Sequence, residues 1–200
     1  MHTYATDSNE RRQIVLALAF LSVACAYLLD AVLKALGIAA PWYVDVPSVF
    51  GFFAPFYWAF DTFIWKWPLL HRLGVVKVPN LNGEWRGELH TSHEGMTAPH
   101  EVDVTIIQTW TRIGVELRTP HSSSCSRTGG VLVDSAGGPV LTYEYTNEPN
   151  PRAGTTMQAH RGVARLVYRE QGGSALLEGD YYSGRGRANQ GTLTLKRQGL

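Results

Sequence analysis

Residues 101–119, EVDVTIIQTWTRIGVELRT, decide the fold of most of this 200-residue chain. Apolar residues at positions 102, 104 and 106 alternate with polar residues at positions 101, 103 and 105. Ile113, Val115 and Leu117 alternate with their neighbours in the same way. A period of two with one polar face is typical of a half-buried antiparallel strand. The stretch therefore predicts two such strands.

Similar segments recur about every twelve residues from Pro79 to the C-terminus, with glycine-rich turns at 136–139 and 171–173. Eight short antiparallel strands close most naturally into a small up-and-down barrel, whose interior holds side chains or one small ligand. We therefore predict an all-β, lipocalin-like barrel of about eight strands over residues 79–200. The predicted strands are Glu84–Thr91, Glu101–Thr109, Arg112–Thr119, Ser124–Asp134, Val140–Thr146, Met157–Arg169, Ser174–Tyr182 and Gln190–Arg197.

The N-terminal part of the chain has a different pattern. Ile14–Leu29 and Val46–Phe60 are apolar runs without a charged residue. About twenty residues in a helix cross the roughly 30 Å hydrocarbon layer of a bilayer. We predict helices over 13–35 and 46–66, which together form a transmembrane hairpin over 13–66. A cytoplasmic tail over 1–12 precedes the hairpin, and a linker over 67–78 joins it to the barrel.

The connecting segment of the hairpin has one lysine, Lys34, whereas positive charges flank the hairpin on both sides. The flanking cations are Arg11, Arg12, Lys66, Arg72 and Lys77. The positive-inside rule then places both termini, and with them the barrel, in the cytoplasm.

Asp61 in the second helix is a candidate for membrane function. Its carboxylate either reaches water near the inner interface, or lines an aqueous or protein-filled interior once helices assemble, because a carboxylate facing lipid is costly.

Composition excludes several classes of function. The chain has a net charge of +1, and no broad basic field favours binding to a nucleic-acid polymer. Cys25 and Cys125 lie in different parts of the chain and predict no disulfide. The chain contains no phosphate-binding loop, dinucleotide fingerprint, nucleophile elbow or histidine spacing typical of a metal site. We therefore predict no catalytic residues, no metal and no cofactor.

A Gly-x-Trp motif, Gly83–Trp85, opens the first predicted strand. It resembles the start of a lipocalin-type barrel, in which the tryptophan plugs the closed end. We therefore assign Gly83 and Trp85 a structural role at the barrel floor rather than a ligand contact.

Further motifs follow in a fixed order behind the two apolar runs. The motifs are NLNGEWRG (80–87), SSSCS (122–126), LTYEYTNEP (141–149), HRGVARL (160–166), YYSGRGR (181–187) and GTL (191–193). Together they resemble the two-transmembrane, β-strand-rich effectors of bacterial cyclic-oligonucleotide antiphage defence (CBASS), over essentially the whole chain. The resemblance implies that a cytosolic barrel senses a cyclic dinucleotide made by a partner nucleotidyltransferase. It also implies that the protein then oligomerises, disrupts the inner membrane and kills the cell.

A cyclic dinucleotide presents two phosphodiesters and two flat bases, so its recognition needs cations and aromatic faces. Residues 152–187 form the basic part of the otherwise balanced barrel. The alternative is that these arginines are solvated and the tyrosines belong to the core. The candidate ligand-binding residues are Arg152, Arg185, Arg187, Tyr145, Tyr181 and Tyr182.

Two other functions remain open from the sequence. The barrel could serve a membrane-anchored, lipocalin-like carrier or sensor of an apolar ligand, which the Gly-x-Trp motif and the strand number favour. The predicted cytosolic orientation speaks against a lipid scavenger. The third alternative is a passive scaffold whose barrel is filled by its own side chains.

Overall fold

The computed structural model describes residues 1–38, 45–92, 95–150, 158–184 and 189–199, with only the backbone for 45–48. The chain divides into two compact units. The first, the barrel unit, combines Met1–Asp7 with Val78–Leu200, and the second, the helical unit, is Ser8–Lys77.

The elements follow one another along the chain with the helices near the N-terminus. The helices are α1 (Glu10–Ala35), α2 (Asp45–Thr62) and α3 (Pro68–Arg72), with a 3₁₀ turn at Ile64–Lys66. The strands are β1 (His2–Thr3), β2 (Ala5–Thr6), β3 (Gly83–Thr91), β4 (His100–Gln108), β5 (Arg112–Arg118), β6 (Ser122–Leu132), β7 (Val140–Pro149), β8 (His160–Gln171), β9 (Ser174–Ser183) and β10 (Gln190–Arg197).

Strands β3 to β10 form a closed antiparallel barrel, because each pairs with the next, β10 returns to β3, and β5 meets β6. All eight predicted strands are present, and the predicted barrel is confirmed. Its core follows the alternation of the sequence: Val102, Val104, Ile106, Ile113 and Val115 are all buried. Each fully buried side chain of this size contributes roughly 1.5–3 kcal/mol through removal of apolar surface from water.

One end of the barrel is closed by Trp85. Its indole Nε1 donates a hydrogen bond to the carbonyl of Leu81 at 3.0 Å, and the guanidinium of Arg197 lies 4.8 Å from the ring centroid. Arg197 also donates to the carbonyl of Asn80. Burial lowers the pKa of Arg197, and the aromatic face beneath the guanidinium stabilises its positive charge. The chain enters this arrangement through Gly83, whose φ of +128° favours glycine.

The first seven residues belong to the barrel unit, although the sequence predicts a cytoplasmic tail over 1–12. Strand β1 pairs with β5 in antiparallel orientation, and β2 pairs with β6 in parallel orientation. The aromatic ring of Tyr4, between them, lies in the hydrophobic core. Strands of two residues are too short to show a period of two, so the alternation could not reveal them.

The helical unit contains both predicted helices, with shifted boundaries. Helix α1 begins at Glu10 rather than at residue 13, and α2 ends at Thr62, followed by the 3₁₀ turn at Ile64–Lys66. The predicted linker contains α3, which starts with Pro68 in the first turn, where the missing amide hydrogen costs nothing. The backbone nitrogen of Lys77 donates to the carboxylate of Glu10, so the two ends of the unit meet.

Within the described residues, α1 alone is long and apolar enough to cross a membrane by length and mean hydropathy. Its 26 residues include a window of mean hydropathy 2.3, of which 17% is buried. Helix α2 is shorter, packs against α1 and is rich in aromatic residues. Phe52 stacks on Phe56 with ring centroids 6.0 Å apart, and Phe53 stacks on Tyr57 at 5.9 Å. Asp61 is half-buried in the last turn of α2.

Candidate ligand-binding cavity

A cavity of about 330 Å³ lies inside the barrel at the end opposite Trp85. This volume falls in the range of pockets that hold small molecules. Its wall consists of the last residues of β3, β5, β7 and β9 and the first residues of β4, β6, β8 and β10. All these strand ends lie at the same end of the barrel, because antiparallel neighbours run in opposite directions. We call this end the mouth.

Three tyrosines form an aromatic wall in the cavity: Tyr143, Tyr145 and Tyr181. Tyr143 and Tyr145 lie on the same face of β7, with ring centroids 6.3 Å apart. Burial raises the pKa of the Tyr143 hydroxyl above its ordinary value. His160 meets the Tyr145 ring edge-on, with 6.5 Å between the centroids.

Two glycines on neighbouring strands hold two of these rings in place. Gly162 pairs directly with Tyr145, and Gly191 pairs directly with Tyr181. A Cβ atom at Gly162 would lie 2.3 Å from the Tyr145 hydroxyl oxygen, and one at Gly191 would lie 2.5 Å from the Tyr181 ring. Real Cβ contacts are longer, so only glycine lets these rings lie flat against the adjacent backbone.

The cavity wall also contains buried polar side chains. The hydroxyl of Ser124 donates to the side-chain oxygen of Asn147 at 2.8 Å, and the hydroxyl of Ser183 donates to the carbonyl of Asn189 at 3.3 Å. Ser122 lies within hydrogen-bond distance of the Thr119 hydroxyl, at 3.2 Å. Such groups can exchange these hydrogen bonds for hydrogen bonds to a polar ligand, whereas an apolar ligand has no donor or acceptor to replace them.

Three histidines, His100, His121 and His160, surround the mouth. No motif or spacing groups them in the sequence, because they lie far apart along the chain and are brought together only by the strand register. Among the described residues that line the cavity there is no arginine or lysine. The same ranges of the chain contain no group of three His, Cys, Asp or Glu side chains able to hold a metal ion.

The structure separates the predicted tyrosines. Tyr145 and Tyr181 line the cavity, but Tyr182 is 56% exposed and does not. Tyr181 and Tyr182 are neighbours on β9, so their side chains point to opposite faces and only one can face inward. Tyr182 is therefore removed from the candidate set. Tyr143 joins the set, and its place on the same face as Tyr145 was readable from the spacing of two.

The predicted arginines Arg152, Arg185 and Arg187 lie outside the described residues. In the sequence, however, they fall between residues that line the mouth. Arg152 lies between Asn147 and His160, and the other two lie between Ser183 and Asn189. The structure places Gly83 and Trp85 at the closed end, away from the cavity lining, and Asp61 in the other unit.

Comparison with known proteins gives the same division of the chain. Residues 76–197 match the family profile described as "Cap15, cyclic dinucleotide receptor domain", and residues 12–66 match "Cap15, TM helices". The chain is similar to CD-NTase-associated protein 15 of Yersinia aleksiciae, with 34% identity over 150 residues, which are 75% of this chain and 69% of the relative. It is also similar to CD-NTase-associated protein 15 of Staphylococcus schleiferi, with 28% identity over 138 residues, which are 69% of this chain and 70% of the relative.

Proposed function

Because this chain belongs to the Cap15 family of CBASS effectors, with a cyclic dinucleotide receptor domain and transmembrane helices, we propose how its two units act together. A cyclic dinucleotide enters the mouth of the barrel in the bacterial cytoplasm. The ligand stabilises an assembled form of the protein, the helical units of several copies cluster, and the inner membrane loses its integrity. The infected cell dies before the phage is released.

The observation that carries the ligand assignment is the composition of the cavity. Tyr145 and Tyr181 offer rings to stack on bases, and stacking on an aromatic side chain contributes about 1–3 kcal/mol per base. The imidazoles of His121 and His160 and the hydroxyl of Ser122 can donate hydrogen bonds to phosphodiester oxygens. Arg152, Arg185 and Arg187 supply the permanent positive charge in this proposal.

The rival, a lipocalin-like carrier of an apolar ligand, fits the cavity less well. Ser122, Ser124, Asn147 and Ser183 are all buried in the wall. A fatty acyl chain could form no hydrogen bond with these groups, whereas a polar ligand can. The resemblance to lipocalins therefore concerns the closed end, where Trp85 lies, and not the chemistry of the cavity.

A thermal unfolding experiment on the full chain in detergent tests the ligand class. A cyclic dinucleotide at about 100 times its dissociation constant stabilises a one-site protein by about 2.7 kcal/mol, so the barrel transition moves to higher temperature. The double variant Arg185→Ala/Arg187→Ala is expected to lose this response. Arg86→Ala is the matched control, because Arg86 is 64% exposed and pairs with Asp103 at 2.8 Å on β3 and β4, away from the cavity lining.

Each outcome has a separate meaning. Stabilisation by a fatty acid instead of any cyclic dinucleotide favours the carrier, and no stabilisation by either contradicts both. Equal loss of response in Arg86→Ala and in the double variant would remove the assignment of Arg185 and Arg187.

The chain path supports a hairpin in the membrane. Met1–Asp7 and Val78–Leu200 belong to one unit, so the chain leaves the barrel after Asp7 and returns to it at Val78. A polypeptide that starts and ends on one side of a membrane crosses it an even number of times. One crossing by α1 and one by α2 satisfy this condition, and the cations at Arg11, Arg12 and Lys66 favour the cytoplasm for both ends.

Cysteine labelling in intact cells tests this topology. In a background without Cys25 and Cys125, a cysteine introduced at Thr6 and one introduced at Gln198 are both expected to resist a membrane-impermeant maleimide until the inner membrane is opened. A cysteine at Ala39, between the two helices, is expected to react at once from the periplasm. Labelling of position 198 in intact cells would contradict the cytoplasmic barrel.

A further inference from the structure

The barrel wall has one seam. Among the described residues, β5 and β6 pair directly at only three positions, whereas β8 and β9 pair at ten. The three direct pairs, which include Leu117 with Ser124, lie near the mouth. Toward the closed end the two strands separate, and residues 1–7, which we call the strap, lie between them.

The strap packs closely against three glycines of the seam. An added Cβ would lie 3.3 Å from the Met1 side chain at Gly114, 3.5 Å from the His2 ring at Gly129 and 3.4 Å from the Ala5 carbonyl at Gly130. At Gly114 this contact is tighter than usual, whereas at Gly129 the nearest atom is the Thr142 carbonyl oxygen of β7, at 2.8 Å.

Several side chains keep the strap in its place. Tyr4 is 3% exposed, and its hydroxyl donates to the carbonyl of Trp110 at 2.7 Å. The carboxylate of Asp7 accepts hydrogen bonds from the backbone nitrogens of Val133 at 2.7 Å and Asp134 at 3.3 Å. A buried tyrosine and two charge-assisted hydrogen bonds make the strap a stable part of the barrel.

The strap touches the same seam as the cavity. Leu117 of β5 and Ser124 of β6 both line the cavity, and they are direct partners across the seam. One step toward the closed end, the hydroxyl of Ser126 accepts a hydrogen bond from the Val115 nitrogen at 2.9 Å and lies 2.9 Å from Nε2 of His2. A change in the separation of β5 and β6 at the mouth therefore reaches the strap through one shared hydroxyl group.

We propose that the strap transmits occupancy of the cavity to α1. This inference rests on the proposed function, because it needs a ligand in the cavity and an effect in the membrane. The mouth lies at the barrel end away from Asp7 and Val78, so a signal has to travel the length of the wall. The seam with its three direct pairs deforms most easily, since fewer ladder hydrogen bonds oppose its opening. Asp7 is separated from the start of α1 at Glu10 by two residues, so movement of the seated strap pulls directly on the helix.

A flexible insertion tests whether the strap transmits movement to α1 without changing the barrel or its ligand binding. A six-residue Gly–Ser linker between Ser8 and Asn9 leaves the strap in its seam and α1 unchanged, but it no longer carries tension. The thermal shift caused by a cyclic dinucleotide is expected to persist, while ligand-induced leakage of dye from vesicles containing the full chain falls about tenfold. The matched control is the same linker between Ala136 and Gly137, in the turn between β6 and β7, which is expected to leave both measurements unchanged.

A disulfide tests whether the strap stays seated. Thr3 and Arg112 are direct partners in the ladder, so Thr3→Cys/Arg112→Cys, without Cys25 and Cys125, can form a bond within one chain. Leakage is expected to be the same with the bond formed or reduced. Full leakage with the linker after Ser8 would overturn the role of the strap, and loss of leakage on formation of the bond would overturn transmission by a strap that stays seated. If the unmodified protein responds to no cyclic dinucleotide, the proposed function fails instead.

Discussion

Bacteria that produce this protein together with a cyclic dinucleotide that stabilises it are expected to take up propidium iodide, whereas bacteria with either component alone exclude the dye. The expected difference is close to all or none. A ligand must favour one of two states about 10⁴-fold to move a population from 1% to 99%, and a site with several stacking and charge-assisted contacts can supply that preference. Flow cytometry of stained cells measures the permeable fraction.

Two variants make the result specific. The barrel unit alone, with residues 1–7 joined by a Gly–Ser linker to residues 78–200, lacks the helical unit and is expected to leave the membrane intact at equal ligand concentration. The full chain with Arg185→Ala/Arg187→Ala keeps both helices and is expected to stay inactive because it does not bind. Dye uptake with the barrel unit alone would contradict a membrane role for α1 and α2.

The barrel was predictable because its information is local. Ile113, Val115 and Leu117 show the inward face of β5 by their spacing alone, and the same period marks the neighbouring strand β4. The transmembrane region was visible as uncharged apolar runs. The ends of its helices were harder to predict, since a run of about fifteen apolar residues does not define where the first and last turns of a helix lie.

What sequence reasoning missed depends on contacts between distant positions. Arg197 covers Trp85 from the other end of the domain, and the histidines at the mouth come from three separate strand ends. The strap consists of two-residue strands, which have no periodicity to detect. Its one sequence signal was the Gly129–Gly130 pair inside β6, because glycines within a strand mark the close approach of another backbone.

The substitution Gly162→Ala is expected to abolish most of the affinity for a cyclic dinucleotide. The new Cβ would lie 2.3 Å from the Tyr145 hydroxyl oxygen and 2.6 Å from the Tyr182 carbonyl oxygen, so the ring has to leave the wall on which a base stacks and the pairing of β8 with β9 has to shift. Loss of one stacked base costs about 1–3 kcal/mol, which corresponds to about a 5- to 150-fold higher dissociation constant. Isothermal titration calorimetry on the full chain in detergent measures this change.

Three control variants distinguish loss of the Tyr145 ring surface from other effects of the glycine substitution. Gly137→Ala is the matched control, because a Cβ at Gly137 meets nothing within 4 Å, and it is expected to leave affinity unchanged. Tyr145→Phe keeps an aromatic face and is expected to retain most of the affinity, whereas Tyr145→Leu fills a similar space without a π surface and is expected to lose as much as Gly162→Ala. If Tyr145→Leu binds as tightly as the unmodified protein, then Tyr145 only fills the core, and the bases must be recognised elsewhere in the mouth.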